Sequence, residues 1–311
     1  MKTYKLIEKK NLWFTCSSLI ILLGFVMMGL RGIQSKPILN FGIDFMGGST
    51  LILKFDSFNQ ALKANPNQDF SQASASFIHS VRTVLSGYGL ENSSIQMSQD
   101  GEVLIKTLHI DSAKIASVQQ GFKEKMGNFE VLEIDYIGPT IGAELQTRSV
   151  WIVLLVTFLL LIYITFRFDI SYGVGVLVAT LHDALVILSI ASLFNMEVNV
   201  EFVAAILTIL GYSINDTVVI FDRIRENFQK LKTGVSMITL TNESIVQTLG
   251  RTLNTSLTTL IVVTTLFVLG GITIKSFCLI LFVGIIVGTY SSIFIAAPVL
   301  VMMHRDPDVQ N

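Results

Sequence analysis

The sequence predicts an α-helical polytopic membrane protein: six transmembrane helices, with one α+β domain inserted between helices 1 and 2. Three observations carry that expectation. Across 311 residues the hydrophobic fraction is 51% and the charged fraction 14%, where a soluble domain carries about a quarter charged residues. Mean hydropathy is +0.63, and the apolar residues come in blocks. Between the first two blocks lies a long stretch whose patterns are those of a water-soluble fold. The net charge of -1 leaves no broad basic surface, so nucleic acid is not an expected partner.

Apolar runs of about 17–25 residues suffice to cross a bilayer as helices. Six are expected: Leu12–Leu30, Val150–Phe166, Ile170–Phe194, Val198–Phe221, Leu253–Ile272 and Phe277–Met303. The first follows Lys2, Lys5, Lys9 and Lys10, the layout of a signal peptide. It is long for a signal core and ends without a clear small-x-small cleavage site, so it reads as a retained anchor.

Basic residues in short loops set orientation. With the N-terminus inside, the cytoplasmic side receives the four lysines, Arg167, Arg223, Arg225, Lys230, Lys232, Arg251 and Arg305. The short outside loops, near Asn195–Val200 and Gly271–Ser276, hold only Lys275. The expected organisation is a cytoplasmic N-terminus (1–11), helix 1 (12–31), an extracytoplasmic domain (32–148), helices 2–6 (149–303) with a polar cytoplasmic loop at 222–250, and a cytoplasmic C-terminus (304–311). Arg223, Arg225, Glu226 and Lys230 would suit a helix lying near the headgroups.

Within 32–148, Ser49–Phe55 alternates and is rich in β-formers. Gln72–Ser86 places Phe77, Val81 and Leu85 at helical spacing, and Gly87 and Gly89 follow as stops. Ser94–Met97 and Val103–Leu108 flank Asp100–Gly101, a hairpin turn signal. Asp111 would cap a helix from Ser112 to Met126, closed by Gly127, before a last strand at Phe129–Tyr136. Strand, helix, strand, strand, helix, strand is the ferredoxin-like order. The domain holds no cysteine, so its fold needs no disulfide.

The two cysteines, Cys16 and Cys278, and the four histidines, His79, His109, His182 and His304, show no metal-ligand spacing. His79 and His109 read as ordinary residues of the outer domain. No phosphate-binding glycine motif, nucleophile elbow or H-E-x-x-H is present, so neither an enzyme nor a bound cofactor is expected.

The costly residues are the carboxylates inside the spans. Asp183, beside His182, sits in span three, and Asp216 sits in span four within Gly211-Tyr212-Ser213-Ile214-Asn215-Asp216-Thr217. A charged carboxylate at bilayer depth costs roughly 2.5–3.5 kcal/mol on insertion scales, so an intramembrane acid is a functional candidate by default. The plainer reading is an interhelical hydrogen bond, with His182 no more than a structural neighbour. Tyr212 and Ser213 lie on the helical face of Asp216, with Asn215 next to it. Arg251 opens span five, and Asn254, Thr255 and Thr258 extend a polar stripe from it. A descending arginine and the Asp216 carboxylate could meet, directly or through one water; the plainer reading of Arg251 is a boundary residue that sets topology. Gly284 and Gly288 suit close helix packing.

These motifs resemble the SecD/SecF family of protein-translocase membrane subunits, on its SecF side. Phe41-Gly42-Ile43-Asp44-Phe45-Met46-Gly47-Gly48-Ser49 is similar to the signature after span one, and Ile137-Gly138-Pro139-Thr140-Ile141-Gly142 to the one before span two. Leu181-His182-Asp183, GYSINDTVVIFDRIREN at 211–227, and Arg251-Thr252-Leu253-Asn254-Thr255-Ser256 continue the match. Met46 departs from it, where many members carry a small polar residue.

The resemblance implies a SecD partner, the SecYEG channel and the SecA ATPase, and an exported unfolded chain as cargo. It implies the resistance-nodulation-division superfamily, the bacterial cytoplasmic (inner) membrane, and use of the proton-motive force in late export. One set of six spans looks like the separate subunit, not the fused form. Proton coupling falls by resemblance on Asp216 and Arg251, with Asp183 as a third member. Asp44, Gly47, Gly48, Gly138, Pro139 and Gly142 would form the junctions that pass motion to the outer domain. The rival is a proton-driven exporter of small molecules or lipids from the same superfamily; a passive assembly factor is a third reading.

Overall fold

A computed structural model describes residues 5–58, 70–107, 110, 112–230 and 235–304. The expected Asp111 cap, His109, Lys232 and Arg305 lie outside these residues. The chain divides into two compact units, one of 1–40, 150–269 and 276–311, the other of 41–149 and 270–275.

The first unit is helical. α1 (Lys10–Ile33) is followed by α4 (Pro139–Arg167, in this unit from Val150), α5 (Ile170–Leu193), α6 (Val200–Gln229), α7 (Met237–Leu269), α8 (Lys275–Ser291, in this unit from Ser276) and α9 (Ala297–Met303). Six spans are long and apolar enough to cross a membrane, the last running from Ile272 to Met303. Each expected span is present, but the helices outrun the apolar runs. The reason is local pairing of polar residues at their ends. Glu226 takes Arg223 at 2.6 Å and Lys230 at 2.5 Å, at helical spacing. Across to α7, Asn227 donates to the Ser244 hydroxyl at 2.8 Å and Arg223 to Gln247 at 2.5 Å. The expected loop at 222–250 is therefore corrected. Residues 222–229 are the end of α6 and 237–250 the start of α7, joined by side chains, while 231–234 lie outside the described residues.

The start of α6 is capped by Asn199, whose side chain accepts from the Phe202 N–H at 2.9 Å. Between α8 and α9, Ser292–Ala296 forms a π turn just before Pro298. Proline donates no backbone hydrogen bond, and the wider turn absorbs the break. A core of Ile164, Tyr172, Val176, Phe221, Ile245 and Leu300 ties α4, α5, α6, α7 and α9 together.

The second unit holds α2 (Phe70–Ser86), α3 (Ser112–Met126) and four strands: β1 (Gly48–Phe55), β2 (Ser94–Met97), β3 (Glu102–Thr107) and β4 (Phe129–Ile137). They form one sheet in the order β2-β3-β1-β4, with every neighbouring pair antiparallel. Leu51 pairs with Ile105, and a bulge falls between Ile52 and Leu53 on the β4 side. Alternation divides β1 between two faces. Leu51, Leu53 and Phe55 join Val81, Leu85, Val118 and Phe122 in the helix-covered core. On the other face Ile52 and Leu104 meet Ile272. β4 lies at the sheet edge and leaves Val131, Leu132, Ile134 and Tyr136 exposed.

Candidate functional site

The membrane-spanning unit buries two carboxylates. Asp183 of α5 is 0% exposed and Asp216 of α6 is 2% exposed. Buried carboxylates need donors, and here short hydroxyl side chains supply them.

Asp183 is the better served. Ser213 of α6 and Ser291 of α8 both donate to its Oδ2, at 2.6 and 2.9 Å. Its Oδ1 meets His182 Nδ1 at 3.0 Å. Gly288 makes this closeness possible, since a Cβ there would stand 2.9 Å from the Ser213 Cβ. Beside it, Ser292 donates to the Ser213 carbonyl at 3.1 Å, and Thr217 donates to Ser292 at 2.8 Å. The π turn is thus stitched to α6 by hydroxyls.

Asp216 is held more loosely. Its contact on α7 is the Ser256 hydroxyl at 3.4 Å, and Ser256 lies 2.7 Å from the Thr289 hydroxyl of α8. Among the described residues Asp216 has no ion pair within 4 Å. The expected meeting with Arg251 is therefore not a direct one. Helical phase explains it. Ser256 faces Asp216, and five residues at about 100° each turn Arg251 well away from that face. Arg251 is exposed, and so are Asn254 and Thr258. The expected stripe from Arg251 thus looks outward; the inward stripe is Thr248, Thr252 and Ser256. Thr252 Oγ1 is buried there without a hydrogen-bond partner among the described residues.

The polar neighbours of Asp216 divide. Ser213 turns to Asp183, Tyr212 OH accepts from Thr259 at 3.3 Å, and Asn215 is exposed. Sequence reasoning passed over Ser17, Ser256, Thr289 and Ser291. Their signal was faint, because a hydroxyl in or beside an apolar run can hide by bonding back to its own helix. Ser256 and Thr289 also do so, at 2.9 and 2.8 Å.

The second unit brings the two junction motifs together. Asp44 lies half-buried in a single helical turn, Ile43–Met46, that ends at Gly47. Gly47 has φ 77°, and a Cβ there would stand 2.8 Å from Pro139, the first residue of α4. Gly142 presses on the same turn, where a Cβ would lie 2.9 Å from the Gly47 nitrogen. Gly48 pairs with Ile137 in the sheet, next to Gly138. Two signatures some 90 residues apart in the chain are one contact.

A six-span helical protein with carboxylates buried among hydroxyls, and with a separate antiparallel α+β unit, is the class these features define: a multi-pass membrane protein built around intramembrane acids. The profile described as "Protein export membrane protein SecD/SecF, C-terminal" matches residues 117–306. Proteins named protein translocase subunit SecF are similar over nearly the whole chain. That of Sebaldella termitidis is 35% identical over 302 residues, covering 97% of this chain and 92% of the relative. That of Desulfurispirillum indicum is 37% identical over 295 residues, covering 92% and 87%. The crystal structure of SecDF, a translocon-associated membrane protein from Thermus thermophilus, superposes with a TM-score of 0.79 at 33% identity. It is matched over 97% of this chain but only 38% of its own length. A SecDF structure in a super-membrane-facing form gives a TM-score of 0.66 at 32% identity, over 97% of this chain and 39% of that one. The chain belongs to the SecD/SecF family of protein export membrane proteins, and it is a multi-pass inner-membrane protein.

Proposed function

We propose that this chain is an accessory subunit of the Sec protein translocase that works with SecD and uses the proton-motive force in late protein export. It is a transport subunit, not an enzyme. The observation that carries the reading is Asp216: a carboxylate buried in a membrane-spanning helix, met by the Ser256 hydroxyl at the long distance of 3.4 Å and facing no ion pair among the described residues. Such a group is free to gain and lose a proton as its surroundings repack. Moving one charge down 100 mV yields roughly 2.3 kcal/mol, enough to shift a two-state equilibrium by about fifty-fold.

In this mechanism a proton from outside neutralises Asp216 and weakens the pull of Arg251. Helices α6, α7 and α8 then repack. Motion passes to the outer domain at the contact of Gly47 and Gly48 with Gly138, Pro139 and Gly142. Residues 32–148 are read as that domain, extracytoplasmic and ferredoxin-like. Support comes from the order β2-β3-β1-β4 with helices linking β1 to β2 and β3 to β4. Both termini are read as cytoplasmic from the basic residues. SecYEG and SecA supply the channel and the ATP-driven start of transfer, and the exported chain is the cargo. The named relatives are translocase subunits, and no observation favours small-molecule or lipid export.

The deciding experiment is Asp216→Asn in cells that depend on this subunit. Insertion and copurification with SecD should persist while gradient-dependent export falls to the level seen without a gradient. Export at full rate would remove Asp216 from the mechanism.

A further inference from the structure

A chain of hydrogen bonds runs from Asp183 to the first membrane helix, and the direction of each bond can be worked out. It begins at a backbone oxygen, which only accepts. Tyr290 OH of α8 donates to the Trp13 carbonyl of α1 at 2.9 Å. That uses the phenol's single proton, so in its 3.2 Å contact with Ser17 the phenol accepts and Ser17 donates. Ser17 has then spent its own proton. Its 2.8 Å contact with His182 Nε2 must be an acceptance, and Nε2 carries hydrogen. One contact is left, Nδ1 to Asp183 Oδ1 at 3.0 Å. A lone pair facing a carboxylate there would repel, so one proton lies between them. It sits on the carboxyl or on the ring, and in either case the pair is neutral as a whole.

From this geometry we infer that His182 and Asp183 together bind one exchangeable proton, separate from the Asp216 site, and that its release unhooks α8 from α1. Without that proton the carboxylate is negative and needs a donor from the ring. The ring changes to its Nδ1–H tautomer, and Nε2 becomes an acceptor. Ser17 must then donate to Nε2, Tyr290 must donate to Ser17, and the Trp13 carbonyl loses its phenol. One proton leaves, and three hydrogen bonds reverse or break. Asp183 Oδ2 keeps its donors Ser213 and Ser291 throughout, which holds the carboxylate in place while the ring switches.

The surroundings favour this assignment. His182 is 8% exposed. The titratable groups facing it are Asp183 on its own helix, Cys16 on α1 and Tyr290 on α8; from α6 only the Ser213 hydroxyl reaches the pair. No Lys, Arg or Glu is among its described contacts. A cavity of about 280 Å³, lined by Trp13, Cys16, Ser17, His182, Val186 and Tyr290 among others, adjoins the ring and leaves room for rearrangement. Trp13 also packs on Phe294 at 4.3 Å and edge-on to Tyr290 at 6.5 Å, so it senses any change between α1 and α8. The inference builds on Asp183 as a proton-coupling residue but needs neither Asp216 nor Arg251.

The test uses the full chain in lipid nanodiscs with 15N-labelled histidine. The His182 ring signals are identified by their loss in His182→Gln. As pH rises they should pass from an Nε2-protonated to an Nδ1-protonated form, the ratio changing roughly a hundredfold over two pH units as for any one-proton titration. Trp13 emission, read in a Trp151→Phe background, should change with the same midpoint. Asp183→Asn should hold the ring in the Nε2–H form at every pH, and Asp216→Asn should leave the midpoint in place. A His182 tautomer that never changes, Trp13 emission that ignores the change, or loss of the switch in Asp216→Asn would each overturn the inference. Full export by Asp216→Asn would instead count against the proposed role of Asp216 and leave this result standing.

Discussion

Ser213 and Asp183 stand 2.6 Å apart across α6 and α5, although Ser213 lies only three residues from the other buried acid, Asp216. One turn of α6 thus touches both acids. Any roll of α6 that moves Asp216 pulls on the donor of Asp183, and Ser291 of α8 completes the link at 2.9 Å.

That link depends on Gly288. Gly288→Val would put new carbon atoms against Ser213, where even a Cβ stands at 2.9 Å. Overpacking of this kind costs about 1–3 kcal/mol. Thermal melts in detergent should show a lowered midpoint, with export lost. Ser213→Ala should cost less, about 1 kcal/mol, because Ser291 and His182 still serve the carboxylate. An unchanged melt in Gly288→Val would mean that α8 does not pack here.

Arg251 separates function from folding. It is exposed in this chain and forms no ion pair with Asp216, and exposed substitutions usually stay within about 0.5 kcal/mol. Arg251→Met should therefore keep abundance and melting point while export falls to the level of Asp216→Asn. A loss of abundance with normal export per molecule would return Arg251 to a topology role.

The junction has its own signature. Gly47 combines φ 77° with a 2.8 Å approach to Pro139. Gly47→Ala must strain the turn and push on α4 together, at about 1–3 kcal/mol. Limited proteolysis of the second unit should become several-fold faster, while Gly29→Ala, with open space around it, should match the wild type.

The exposed edge strand β4 gives a pH effect. A hydrogen bond and negative charge from Asp135 push the Glu133 carboxyl above its ordinary value. A raised carboxyl favours the folded state when protonated, so this contribution is present at low pH and fades as pH rises through the folded-state value. Asp135→Asn should raise the stability of the second unit at pH 7 and change little at pH 3. Hydrogen exchange along β4 at the two pH values reads the difference; equal protection at pH 7 would show the pair to be fully screened.

Much of this architecture was legible before any coordinates. Ser94–Met97 and Ser112–Met126 appear as elements with the bounds that their patterns predict, because turn residues mark their ends: Gly101 and Gly127 both take positive φ. The six spans were legible because a bilayer demands long apolar runs. Helix ends at 222–250 were not, since polar residues there look like a loop until Glu226, Asn227 and Gln247 find partners.

The sequence by itself determined which carboxylates would be buried. Asp183 and Asp216 sit in apolar runs, and any membrane helix built from those runs must shelter them. What only the tertiary structure decided is what each carboxylate meets. Rotation of one helix against another is set by side-chain packing, at Gly288 above all, and it turns Ser256 rather than Arg251 toward Asp216 and Ser213 toward Asp183. A residue's neighbours along the chain are fixed by covalent bonds. Its neighbours across the bundle depend on the phase of every helix at once, and that phase is not written in any single run of residues.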